Sequence, residues 1–158
     1  MIIGITRDTT REHLIRAALE AICMQSADVI EAMAESSGVR VKSLAVDGGA
    51  SVNNFLMQFQ SDVLGIRVER PTTLETTALG AAFLAGLSSG VWADMKELSL
   101  LRRIDRVFNP RMTKATRLEL RFEWKMAVSR ARGWAEPRVT SSSHSGTRAF
   151  GPNHNLRG

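Results

Sequence analysis

The chain has 158 residues, of which 44% are apolar and 23% are charged, so its composition is that of one globular domain or of part of a larger protein. Its single cysteine, Cys23, excludes a disulfide framework and a multi-cysteine metal site within the chain. The net charge of +5 is divided unevenly, because residues 1–90 carry a net −3 and residues 91–158 carry a net +8.

Composition and charge also bear on the partners of the protein. No apolar run approaches the roughly 18–20 residues that span a bilayer, and the segment after Met1 lacks the basic and apolar regions of a signal peptide. We therefore expect a cytoplasmic protein with no membrane partner. The chain has no tyrosine, whereas surfaces that bind nucleic acid often interleave basic and aromatic residues. Nucleic acid is therefore a disfavoured partner.

The first 90 residues alternate helical and extended patterns. Thr9 and Glu12 have capping-box spacing at the start of the first helix, and Gly38 is a stop signal at its end. The core-facing stripe of this helix is predicted to contain Leu14, Ala18, Ile22, Val29, Ile30 and Met33. The predicted elements are a helix over 9–36, a strand over 41–46, a helix over 52–64, a strand over 66–70 and a helix over 75–90. Strands joined through helices pair in parallel, so this order predicts an α/β fold.

The pattern changes after residue 90. A short helical stretch over 94–104 precedes a turn at 108–110, and a helix over 113–133 follows. Residues 137–158 contain few large apolar groups, so they cannot bury enough surface to offset the entropy lost on ordering. We predict three parts, which are an α/β domain over 1–93, a helical extension over 94–136 and a disordered tail over 137–158.

The strongest candidate site follows the first predicted strand. Asp47-Gly48-Gly49 lies at the carboxyl end of that strand, the edge at which open α/β sheets bind ligands. Two glycines let a ligand approach the backbone, and the helix N-terminus behind them offers N–H groups that suit phosphate. Asn53 lies in the first helical turn, where its amide could donate to a ribose or a base. The same residues also suit an ordinary strand-to-helix turn in which Asn caps the helix, so both interpretations stay open.

The other reactive side chains favour structural roles. Cys23 lies on the core stripe of the first helix and is interpreted as a small buried apolar residue. His13 is interpreted as a surface residue, because the sequence offers it no carboxylate partner. Asp47 favours a structural hydrogen bond over the orientation of a metal-bound water. The residues by themselves therefore single out no catalytic residue and no metal ligand in this chain.

Four segments carry a resemblance to a known family. They are Gly4-Ile5 with His13-Leu14-Ile15-Arg16-Ala17-Ala18-Leu19-Glu20, Val46 to Asp62, Glu75 to Ala82, and Trp124 to Val128. Through them the chain resembles, over about residues 2–135, the C-terminal domain of the FGGY family of carbohydrate kinases. The stretch Leu56-Met57-Gln58-Phe59-Gln60 is similar to the glycerol kinase branch of that family in particular. Asp8 departs from the pattern, because glycerol kinases often have glycine at this position.

The resemblance implies a fold, a reaction and a set of site residues. The implied fold is a partial ribonuclease H-like domain of the actin-like ATPase type, with parallel strands and flanking helices. Two such domains in the family enclose a cleft for ATP. The implied reaction converts glycerol and ATP to sn-glycerol 3-phosphate and ADP with Mg²⁺. Gly49 and Asn53 correspond to the family's adenine-nucleotide contacts, and Gly48 corresponds to the turn glycine.

The resemblance also implies what this chain lacks. In the family the glycerol site, the catalytic aspartate and the first phosphate loop belong to an N-terminal domain, and no Mg²⁺ ligand carries over. We therefore expect weak binding of adenine nucleotide and no kinase turnover by the chain alone. A complementing N-terminal half or a second copy of the chain are the partners left open. The alternative functions are another FGGY sugar kinase and a non-catalytic binding module that uses the basic half.

Overall fold

The computed structural model describes residues 1–133, so the predicted tail over 137–158 lies outside the described residues. In chain order the elements are α1 (Arg11–Ser37), β1 (Ser43–Ala45), a 3₁₀ turn (Gly49–Val52), α2 (Asn54–Leu64), β2 (Arg67–Pro71), α3 (Thr76–Ser88), α4 (Met95–Leu101), β3 (Ile104–Phe108) and α5 (Lys114–Ala131). Each helix and strand predicted from the sequence is present, within a few residues of its predicted bounds. In this part of the chain no helix combines the length and apolar character needed to cross a bilayer.

The three strands form one sheet in the order β1-β2-β3. β1 and β2 pair in parallel, with Leu44 opposite Val68, which confirms the α/β class. β3 pairs with the other side of β2 and runs antiparallel, with Phe108 opposite Val68. This strand corrects the prediction that the strands are parallel, and it lies in a region for which the sequence predicted only helices and a turn. Four of its five residues are exposed, so the strand is held in place mainly by its backbone pairing with β2. For the same reason its sequence has no apolar pattern from which a strand could be predicted.

The core is organised around α2. This helix contacts β2 and β3 as well as α1 and α5. The buried apolar cluster contains Cys23, Met24, Ala27, Leu56, Met57, Phe59, Val63, Val68 and Phe108. Full burial of a large apolar side chain contributes about 1.5–3 kcal/mol. The start of α2, which carries the candidate site, is therefore anchored to the buried core of the described structure.

The start of α1 differs by one residue from its prediction. The N-cap is Thr10 rather than Thr9, because the Thr10 hydroxyl accepts a hydrogen bond from the His13 N–H. The His13 ring accepts in return from the Thr10 N–H at 3.1 Å, which completes a capping box without Glu12. The Thr9 hydroxyl accepts instead from the Thr6 N–H at 2.9 Å and closes the turn that leads into the helix.

The buried face of α1 also differs from its prediction. The helix buries Cys23, Met24 and Ala27, which lie against α2. Ile22, Val29 and Met33 of the predicted core stripe are 51%, 59% and 65% exposed. The helix has apolar residues on two faces, and only one of these faces is covered within residues 1–133. Helical periodicity finds apolar faces, but it cannot tell which of them has a packing partner.

Candidate functional site

The candidate site begins where β1 ends. Gly48 has φ 75° and ψ 171°, a backbone conformation that L side chains rarely adopt, so glycine is required at this position. Its N–H donates to the Leu74 carbonyl at 3.0 Å. Asp47 accepts a hydrogen bond from the hydroxyl of Thr76, the first residue of α3, which confirms a structural role for this carboxylate. The turn is therefore fixed against the segment that leads into α3.

Asn53 joins the 3₁₀ turn to α2. Its Oδ1 accepts from the backbone N–H groups of Phe55 at 3.0 Å and Leu56 at 3.1 Å, which is the predicted helix cap. Two backbone donors identify this atom as the oxygen, so the other end of the amide is the nitrogen. Within residues 1–133 the Asn53 side-chain nitrogen has no hydrogen-bond partner. One end of the amide therefore serves the helix, and the half-buried side chain keeps its donor end available.

Gly49 is exposed and does not have a positive φ. A Cβ added there, or at Gly48, would meet no heavy atom within 4 Å. Neither backbone conformation nor packing in the described part of the chain explains a glycine at position 49. A ligand that comes close to the backbone would explain why position 49 is a glycine. The turn is open at its surface rather than sealed beneath packed side chains.

Two cavities lie on either side of β1. The larger, of about 740 Å³, lies between the ends of β1 and β2 and helices α3 and α4. The smaller, of about 440 Å³, lies between α1, β1 and α2. Asp47 lines both cavities, whereas Gly48, Gly49 and Asn53 line neither. Gly48 and Asn53 are half-buried and Gly49 is exposed, so the three predicted binding residues are accessible to solvent and lie outside both of these cavities.

The remaining sequence candidates are placed as predicted. Cys23 is fully buried and its thiol donates to the Leu56 carbonyl at 3.4 Å. Burial raises the pKa of the Cys23 thiol to about 12, with a smaller contribution from the nearby Glu20 carboxylate. A thiol in this state is not a nucleophile at neutral pH. His13 is exposed and belongs to the cap of α1.

Candidate metal ligands do not cluster within residues 1–133. No group of three or more His, Cys, Asp or Glu side chains in this range could hold an ion. The Asp47 carboxylate, which borders the candidate turn, accepts from the Thr76 hydroxyl. The absence of a metal ligand from this chain stays a prediction, because Mg²⁺ is commonly held by only one or two carboxylates together with substrate phosphates.

Two side chains that hold the turn are absent from the sequence-based predictions. Ser51 is buried, and its hydroxyl donates to the Gly48 carbonyl at 2.7 Å. A small hydroxyl residue close to a glycine turn is a local signal that could have identified it. Arg70, on β2, donates to the Ser51 carbonyl at 3.0 Å. That contact joins two separate elements, so no local pattern indicates it.

Comparison with known proteins adds a family match and close relatives. Residues 1–89 match the C-terminal domain of the FGGY family of carbohydrate kinases. The chain is 59% identical over 135 residues to a glycerol kinase of Pseudothermotoga lettingae, and this match covers 85% of the chain and 27% of the relative. It is 58% identical over 134 residues to glycerol kinase 2 of Thermotoga maritima, with the same two coverages. The chain therefore spans about a quarter of the length of these curated relatives.

Solved structures agree with these sequence matches. The described fold matches a crystal structure of Plasmodium falciparum glycerol kinase with ADP, with a TM-score of 0.74 and 38% identity over 82% of this chain and 26% of that chain. It also matches a xylulose kinase from Rhodospirillum rubrum with a TM-score of 0.66, covering 81% of this chain and 26% of that chain. The second match has 22% identity and supports the fold alone.

Proposed function

Since the chain belongs to the FGGY family of carbohydrate kinases, we propose that it is the adenine-nucleotide-binding part of a glycerol kinase. The complete enzyme would transfer the terminal phosphoryl group of ATP to glycerol and release ADP and sn-glycerol 3-phosphate. The choice of glycerol as substrate is supported by 59% identity to a glycerol kinase, and among the structural matches by 38% identity to a glycerol kinase against 22% to a xylulose kinase. The crystal structure of the Plasmodium falciparum glycerol kinase with ADP supports the choice of nucleotide.

The single observation that carries the proposal is the open turn between β1 and α2. Gly48 shapes this turn, and Gly49 lets the nucleotide approach the backbone without a Cβ in the way. The nitrogen of Asn53 would donate to the ribose or the base while its oxygen keeps α2 capped. The N-terminus of α2 adds a partial positive charge that favours a negatively charged ligand.

This chain's contribution to catalysis would be positioning. Phosphoryl transfer depends mainly on alignment of the reacting groups and on neutralisation of developing charge. The residues described here include no assigned base, no glycerol contact and no metal ligand, so we place those functions outside this part of the enzyme. The chain alone should bind adenine nucleotide weakly and should not catalyse the phosphorylation of glycerol.

An Asn53→Asp variant tests the proposed nucleotide contact. The carboxylate keeps the acceptor that caps α2 but removes the amide donor and adds a negative charge, so we expect ADP binding to weaken about tenfold without loss of stability. The measurement is a calorimetric or fluorescence titration of the purified chain with ADP. Asn109→Asp is the matched control, because Asn109 is exposed and its side chain makes no hydrogen bond within residues 1–133.

Two results would contradict the proposal. One is the absence of saturable ADP binding by the parent chain, and the other is equal affinity in the Asn53 and Asn109 variants. A coupled assay for glycerol 3-phosphate tests the assignment of the other functions. ATP-dependent product from the purified chain would show that a glycerol site and a base are present within it.

A further inference from the structure

Arg70 contacts the segment that follows the candidate turn. Its Nη1 donates to the Ser51 carbonyl at 3.0 Å, to the Val52 carbonyl at 3.3 Å and to Asn54 Oδ1 at 3.1 Å. These acceptors flank Asn53, so one guanidinium group holds the backbone before the proposed amide donor and the side chain of the residue after it. Arg70 lies on β2, and the contact therefore fixes the turn relative to the sheet.

The other side of the guanidinium is held by β3. Nε and Nη2 of Arg70 donate to Asp105 Oδ2 at 2.8 and 2.7 Å, and the guanidinium lies 5.5 Å from the centre of the Phe108 ring. The Arg70 side chain is 13% exposed, so its orientation is restricted by packing as well as by hydrogen bonds. Asp105 thus orients Arg70, and Arg70 orients the turn.

Helix electrostatics do not explain this arrangement. A cation near a helix N-terminus is opposed by the helix dipole, and α2 has no acidic residue in its first turn. Asn53 already satisfies two N–H groups of that turn. The contacts of Arg70 instead go to carbonyl and amide oxygens, and their direct effect is to fix the path of residues 51–54.

We propose that Arg70 is a positioning residue for nucleotide binding. It holds residues 51–54 so that the Gly49 backbone and the Asn53 nitrogen face the ligand together, and Asp105 holds Arg70 in place. This inference rests on the proposed function for its ligand, whereas the contact between Arg70 and the turn does not depend on any ligand. The two parts can therefore be tested separately.

Hydrogen exchange of backbone amides tests the contact without nucleotide. In Arg70→Gln we expect the amides of residues 53–57 to exchange about fivefold faster or more, because the loss of these hydrogen bonds frees the start of α2. Arg106→Gln is the matched control, because Arg106 also lies over the Phe108 ring, at 4.9 Å, and has no hydrogen bond to the turn. Exchange at the parent rate in Arg70→Gln would overturn the positioning role.

An ADP titration tests the link to binding. We expect Arg70→Gln to raise the Kd for ADP about tenfold and Arg106→Gln to leave it unchanged. Asp105→Asn keeps the arginine but weakens the contact that orients it, so it should give a smaller rise in the Kd for ADP. This variant replaces Arg70→Gln in the test if Arg70→Gln does not fold. Unchanged ADP affinity in both Arg70→Gln and Asp105→Asn would overturn the proposal. A parent chain that binds no ADP would contradict the proposed function, and the exchange comparison would still decide whether Arg70 holds the turn.

Discussion

Single side chains at the turn combine a folding role with the proposed binding role. Asn53 caps α2 through its oxygen while its nitrogen has no partner within residues 1–133. A change to alanine would remove both ends of the amide, at a cost of about 1 kcal/mol for the lost cap. A change to aspartate keeps the cap, which is why it separates binding from stability.

Cys23 provides a prediction about pH at the same scale. Because its thiol pKa is raised to about 12 in the folded state, the folded protein holds this proton more tightly than the unfolded chain does. The contribution of Cys23 to stability is therefore complete below the ordinary thiol value of 9.0 and is lost as the pH rises towards about 12. We expect the free energy of unfolding to fall over this range in the parent and to fall less in Cys23→Ala, as measured by urea titrations.

Thiol labelling checks the same prediction independently. Cys23 is the only cysteine of the chain, so labelling reports on it alone. At pH 8 an aromatic disulfide reagent should label the thiol slowly in buffer and rapidly in denaturing urea. Rapid labelling in buffer would show that the thiol is accessible in the folded state.

At the scale of elements, a polar cluster joins α5 to α1. Arg121 is buried and donates to Asp28 at 2.6 Å, to Glu31 at 2.8 Å and to the Met24 carbonyl at 3.0 Å. Burial acts to lower the pKa of Arg121, but the hydrogen bonds with Glu31 and Asp28 outweigh it and the pKa is raised. The indole N–H of Trp124 also donates to Asp28, at 2.7 Å. Asp28 is therefore the acceptor shared by two side chains of α5.

An Asp28→Ala change should uncouple these helices. It would leave the Trp124 N–H and part of the Arg121 guanidinium without an acceptor, at a cost of about 2 kcal/mol, which allows for the partial exposure of Asp28. Glu35→Ala is the control, because Glu35 is exposed on the same helix and makes no ion pair within the described range. Equal denaturation midpoints for the two variants would contradict the prediction.

At the scale of the whole molecule, one apolar face of α1 has no cover within residues 1–133. Ile15, Ile22, Val29 and Met33 recur along the helix, and each is about half exposed or more. Exposed apolar residues in such a row mark an interaction surface or a site of association. The covered face of the same helix, in contrast, belongs to the core around α2.

Substitutions on this exposed face and in the core should therefore behave differently. Ile22→Gln and Val29→Gln should change the free energy of unfolding by less than about 0.5 kcal/mol, because little burial is lost. They should also reduce the binding of an apolar dye and any association that depends on concentration. Leu56→Ala, in the core, should cost about 2–5 kcal/mol. A large loss of stability in the Gln variants, measured by urea denaturation, would show that the face is buried in solution.

Local chemistry allowed much of the fold and the turn to be predicted from the sequence. The order of helices and strands through α3, the glycine turn after β1 and the cap at Asn53 depend on residues within a few positions of one another. Periodicity, glycine conformation and capping are short-range effects, so a single sequence expresses them. The nucleotide contacts of Gly49 and Asn53 remain a prediction, because their support is an open turn and a resemblance.

Contacts between distant parts of the chain required the tertiary structure. Arg70 and Asp105 are 35 positions apart, and Arg121 and Asp28 are 93 apart. β3 depends on pairing with β2 rather than on its own apolar pattern. The sequence of α1 offers two apolar faces, and only the position of α2 decides which of them is buried. Charged partners, strand pairing and the choice of a buried face are properties of elements brought together, and no local pattern specifies them.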